Sequence, residues 1–111
     1  MVLFERDSQT GGQVNLAAKA GWRESLSGVP RWLDSQVRKL GVDLRLSREA
    51  TAADVLAEKP DVVIVATGGK PNPGFFDGVD LVTTTWDILS GRVAPAETVL
   101  VVDDNGAEQA P

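Results

Sequence analysis

The chain has no cysteine, no histidine and no tyrosine in its 111 residues. Without cysteine, these residues carry no disulfide, no thiolate nucleophile and no cysteine-ligated zinc or iron–sulfur cluster. Without histidine, the commonest general base and metal ligand near neutral pH is missing. Cations are outnumbered, with 11 Lys and Arg against 16 Asp and Glu for a net charge of -5. Nucleic-acid recognition rests on clustered Lys and Arg, so that balance argues against it. No apolar run approaches the roughly twenty residues that cross a bilayer, and no signal-peptide pattern opens the sequence. These absences predict a cytoplasmic protein, with neither a nucleic acid nor a membrane as partner. They favour binding over catalysis.

What is present suits one folded unit. The 42% hydrophobic content is ordinary for a globular domain. Val2-Leu3-Phe4 reads as a short strand, and the polar, glycine-bearing stretch from Asp7 to Gln13 reads as a loop. Asn15 to Ala20 has the composition of a loose helical turn. Apolar residues then recur at Trp22, Leu26, Val29, Leu33, Val37 and Leu40, one face of a helix. Pro30 costs roughly 3 kcal/mol in a helix interior and is tolerated in a first turn. The firm helix is therefore predicted from about Pro30 to Leu40, with Ser27 as a cap and Gly41 as the left-handed stop.

Val42 to Leu46 alternates as a half-covered strand does. Thr51 and Asp54 have capping-box spacing and open a short helix through Ala57. Asp61 to Ala66 is a β-branched run of the kind buried on both faces of a parallel sheet. Trp86 to Ser90 reads as a short helix capped by Thr84 or Thr85 and stopped at Gly91. Thr98 to Val102 reads as a second buried-type strand, ending in Asp103-Asp104-Asn105-Gly106. Alternating strands and helices predict an α/β fold with a mainly parallel sheet.

In such sheets ligands gather beyond the carboxyl ends of strands. Glu5 occupies one such end, where its carboxylate either accepts bonds from ribose hydroxyls or simply closes the strand in solvent. Gly11-Gly12-Gln13 either brings backbone close to a ligand or forms an ordinary loop. Ala66-Thr67-Gly68 is either a ligand-facing turn or one chosen for its geometry. The three Trp residues, 22, 32 and 86, sit in apolar patterns and read as core or interface.

Taken in order, "LFERDSQTGGQVNLAAKA", "RWLDSQVRKLGVDLRL", "TAADVLAEKPDVVIVATGGKP", "TTTWDILSG" and "VLVVDDNG" resemble one family. It is the family of FMN iron–sulfur flavoenzymes that includes trimethylamine dehydrogenase and 2,4-dienoyl-CoA reductase, and the likeness is to its N-demethylase branch. The resemblance implies a partial Rossmann-like FAD/NAD(P)-binding domain lacking its first strand and glycine-rich loop. Residues 1–97 would form the partial FAD/ADP-binding domain, and 98–111 the first strand of a truncated second nucleotide-binding unit.

By resemblance, Glu5 holds the ribose of FAD or ADP, and Gly12 and Gln13 approach the nucleotide. Arg31 and Arg23 match basic positions near the phosphates, and Ala50 meets adenine through its backbone. Ala66, Thr67 and Gly68 line the pyrophosphate or flavin side. The parent would be an NADH:flavin oxidoreductase-type amine dehydrogenase or N-demethylase carrying FMN and a 4Fe-4S cluster elsewhere. This segment would do no chemistry alone and would hold little nucleotide without its parent. Its implied partner is the remainder of that chain, with self-pairing through open sheet edges. Thr98 to Val102 is expected to fill the slot between the strands ending at Glu5 and Ala66, or to pair with another chain. The alternative is a non-catalytic α/β interaction module that binds no nucleotide.

Overall fold

The computed structural model describes residues 1–74 and 77–102. Strand β1 (Val2–Phe4) leads through helix α1 (Gly12–Ala17) and a 3₁₀ turn (Gly21–Ser27) into helix α2 (Gly28–Lys39). Strand β2 (Asp43–Arg45) then pairs in parallel with β1, with Leu3 opposite Leu44. Helices α3 (Ala52–Ala57) and α4 (Thr85–Ser90) follow. The α/β reading with a parallel sheet therefore holds, as a two-stranded sheet among the described residues.

The local signals explain the helices. Pro30 falls in the first turn of α2 and is buried, so its missing N–H costs no internal bond. Arg38 and Lys39 occupy the last turn, where cations suit the helix dipole. Gly41 leaves the helix at φ 68°. Thr51 and Asp54 form the expected capping box of α3, and Thr84 and Asp87 form that of α4. Gly91 closes α4 in the left-handed region. Ser27 does not cap α2. It is already helical, at φ -57°, because the 3₁₀ turn runs straight into the helix and its side chain bonds no amide there.

Two expected strands are not strands. Asp61 to Ala66 pairs with nothing among the described residues, and Ile64 is 85% exposed. Thr98 to Val102 is also unpaired among the described residues, with Leu100 89% exposed, so it does not fill the slot beside β1. A strand needs a neighbouring backbone as well as a suitable composition, and here none is supplied. The calls on Asp103 to Gly106 lie outside the described residues. The chain is correspondingly open, with a radius of gyration of 17.3 Å against about 13 Å for a compact chain of this length. Among the described residues only Ala20 and Pro30 are buried.

The ladder of β1 alternates, so Val2 and Phe4 turn their amides and carbonyls away from β2. That edge is bare among the described residues. Bare edges and unpaired β-branched runs recruit other strands. We therefore expect concentration-dependent self-association, read by sedimentation velocity, that Ile64→Lys reduces. A monomer at every concentration tested would count against it.

Candidate functional site

The site begins where β1 ends. The N–H of Glu5 donates to the Arg45 carbonyl at 3.0 Å, and the Glu5 carbonyl accepts from the Arg48 N–H at 2.9 Å. Two residues on, the Asp7 carbonyl accepts from the Ser47 N–H at 2.9 Å. This docking uses Ser47 in the left-handed region, at φ 52°. The side chain of Glu5 is fixed as well, because its Oε1 accepts from the Asp7 N–H at 2.9 Å. Its Oε2 accepts no hydrogen bond among the described residues. The half-buried carboxylate thus stands at the strand end with one oxygen uncommitted.

Beyond it the chain turns at Gly11 and Gly12, with φ of 112° and 46°. A Cβ on Gly11 would lie 2.6 Å from the Cβ of Pro30, so only glycine lets the loop close on α2. Asn15 Nδ2 donates to the Thr10 carbonyl at 2.8 Å, and Thr10 Oγ1 donates to Asp34 Oδ1 at 3.2 Å. Asp34 in turn accepts from Arg38 at 2.7 Å. The Arg38 guanidinium holds the Asp34 carboxyl below the usual carboxylate range.

Gln13, the first-turn residue of α1, reaches across to the second half of the chain. Its Nε2 donates to the Gly69 carbonyl at 2.9 Å. Gly68 lies at φ 70°, and a Cβ there would come within 2.8 Å of that same nitrogen. The structure therefore brings Gln13 against Gly68 and Gly69, joining the glycine pair to the turn that includes Ala66 and Thr67. It also sets the segment containing Ala50 beside Glu5, through the Arg48 bond.

The two arginines lie on the 3₁₀ turn and on α2. Arg23 lies over the Trp22 ring, 4.1 Å from its centroid. Arg31 is exposed and lines an open cleft of about 630 Å³ with Ser8, Thr10, Lys19 and Ser27. Among the described residues Arg31 makes no hydrogen bond to Glu5, Gln13 or Gly68.

Arg48 was not singled out in the sequence, though its partners were. Arg48 Nη2 donates to Asp54 Oδ1 at 2.6 Å, and Asp54 Oδ2 accepts from both the N–H and the hydroxyl of Thr51. The Thr51 hydroxyl and amide, then Arg48, hold the Asp54 carboxyl far below the usual carboxylate range. Asp87 is lowered in the same manner by Thr84. The only signal in the sequence was the capping-box spacing, which says nothing of Arg48.

These shifts set a pH dependence. A carboxyl lowered in the folded state stabilises it above the unfolded value of about 3.9, and the contribution is lost as pH falls through the folded value. Amide protection in α3 and α4 should stay level from about pH 7 to about pH 5 and decline only below about pH 4. Hydrogen exchange reads this, and a decline already complete at about pH 5 would contradict it.

No protein-family model matches the chain. It is 42% identical over 111 residues to an N,N-dimethylglycine/sarcosine dehydrogenase of Chromohalobacter salexigens, covering 93% of this chain and 16% of that protein. It is also 42% identical over 107 residues to a probable N-methylproline demethylase of Rhizobium meliloti, covering 96% of this chain and 16% of the relative. Among solved structures it resembles 2-naphthoyl-CoA reductase in complex with 2-naphthoyl-CoA. The TM-score is 0.76 at 39% identity, over 84% of this chain and 14% of the other. The chain thus spans about one-sixth of the length of these curated relatives.

Proposed function

We infer that this chain, which belongs with one segment of the oxidoreductase family of those dehydrogenase, demethylase and reductase relatives, supplies part of an FAD or ADP site. The observation that carries the reading is the Glu5 carboxylate, pinned at the carboxyl end of a parallel strand with one oxygen free. A carboxylate so placed accepts from ribose hydroxyls, and its fixed position means little ordering is lost on binding. Gly12 and Gln13 approach the nucleotide from the start of α1, and Ala66, Thr67 and Gly68 flank its pyrophosphate or flavin side. Gly68 lacks the side chain that would crowd Gln13, so the glycine pair and the Ala66–Gly68 turn lie side by side for one ligand.

Ala50 contacts adenine through its main chain. Arg31 is the better phosphate partner of the two arginines, since Arg23 is stacked on Trp22. The fold is a partial Rossmann-like domain over residues 1–97, with 98–111 opening a second nucleotide-binding unit. The working enzyme is a longer oxidoreductase, an amine dehydrogenase or N-demethylase, with FMN and a 4Fe-4S cluster on other segments. With no cysteine, these residues are not the cluster's thiolate ligands. Their part is to bind and orient the nucleotide. Its partner is the rest of that protein, in the cytoplasm.

The test is isothermal titration of the full-length natural polypeptide with FAD and with ADP. Saturable binding of either supports the reading. Binding of neither leaves the interaction module.

A further inference from the structure

We propose that Arg48 and Asp54 are positioning residues for the nucleotide base, clamping residues 48–51 as a rigid wall beside Glu5. This rests on the nucleotide reading above and adds to it the device that makes the site selective for one base.

The segment starts at the ribose acid, because the Arg48 N–H donates to the Glu5 carbonyl at 2.9 Å. One carboxylate then holds both of its ends. Asp54 Oδ1 takes Arg48 Nη2 at 2.6 Å, and Asp54 Oδ2 takes the Thr51 N–H at 2.9 Å and the Thr51 hydroxyl at 2.6 Å. The Asp54 N–H returns to Thr51 Oγ1 at 3.2 Å, tying the segment to α3. Between these anchors Glu49 and Ala50 are exposed and make no hydrogen bond among the described residues. Their main-chain groups are therefore open to pair with the edge of a flat ligand.

A main-chain N–H and C=O distinguish one base from another only when their positions are fixed. Loose, they would adapt to any edge and pay for the ordering on each binding event. Exposed ion pairs add little to global stability. With its guanidinium more than half exposed, Arg48 matters here through geometry rather than through folding energy. Asp54 serves both ends, so neutralising it would also weaken the cap of α3. Arg48 is the cleaner residue to change.

The experiment compares ADP with UDP, which share the ribose and the phosphates and differ in the base. It uses the full-length natural polypeptide and its Arg48→Ala, Arg48→Lys and Glu5→Gln variants, with melting temperature measured alongside. Wild type should prefer ADP. Arg48→Ala should weaken ADP about tenfold while leaving UDP within about twofold, and Arg48→Lys should restore most of the preference. Equal weakening of both nucleotides, or no preference in wild type, overturns the clamp while the ribose site stands. Binding of neither nucleotide by wild type overturns the clamp, and failure to bind FAD as well overturns the ribose reading with it. Glu5→Gln should weaken both nucleotides alike, which separates sugar recognition from base recognition.

Discussion

Glu5→Ala is expected to weaken ADP binding by about 10- to 150-fold, the equivalent of about 1.5–3 kcal/mol for lost hydrogen bonds to a charged acceptor. The size follows from the arrangement of the carboxylate. Oε1 is already occupied by the Asp7 amide, so the side chain does not have to be ordered when the ligand arrives. Alanine removes both the free acceptor and the anchor. The loop from Glu5 to Asp7 would still be held by its backbone bonds to Arg45, Ser47 and Arg48, so the fold should survive and the melting temperature should move little. Calorimetric titration with ADP decides the matter. Affinity within about twofold of wild type, at an unchanged melting temperature, would remove the ribose role.

Gly11→Ala should be the most damaging single substitution for folding. At φ 112° an L residue is strained, at a cost of about 1–3 kcal/mol. The new methyl would also stand 2.6 Å from Pro30 Cβ and 2.8 Å from the Asn15 amide group. Pro30 is buried in the first turn of α2 and has no flexible end to swing aside, so overpacking adds about 1–3 kcal/mol. A chain with so little buried surface has small reserves against that loss. Gly12→Ala is the control. It has positive φ but open space around it, and should cost only about 1–2 kcal/mol. Urea unfolding of both variants against wild type tests the contrast. Equal destabilisation would show that backbone conformation alone, and not contact with Pro30, requires glycine at position 11.

Much of the local structure was legible because it depends on neighbours in sequence. The capping boxes at Thr51 and Thr84, the tolerated proline of α2 and the left-handed glycines 41 and 91 all act over one helical turn. A mainly parallel sheet followed from the alternation of strands and helices, and β1 and β2 pair in that sense. The runs at 61–66 and 98–102 misled for a physical reason. Their residues suit a covered strand, but composition does not provide the backbone partner that makes one. At the site, Glu5, Gly12, Gln13 and Gly68 were visible as residue types at strand ends and turns. The Arg48–Asp54 pair could not be seen beforehand, since an ion pair closing a loop leaves no periodic mark.

The Gln13–Gly69 bond has a consequence for the unliganded chain. Together with the packing of α1 on α4, it joins the first sixty residues to the stretch after α3, with no ladder bonds between them among the described residues. A nucleotide seated between the glycine pair and Gly68 would act there as mortar. By linkage, every tenfold excess of ligand over its dissociation constant would add about 1.4 kcal/mol to the cohesion of the two parts. A nucleotide held there would be a building material as much as a ligand, and depleting it should loosen the segment from Asp61 to Gly69 before any other.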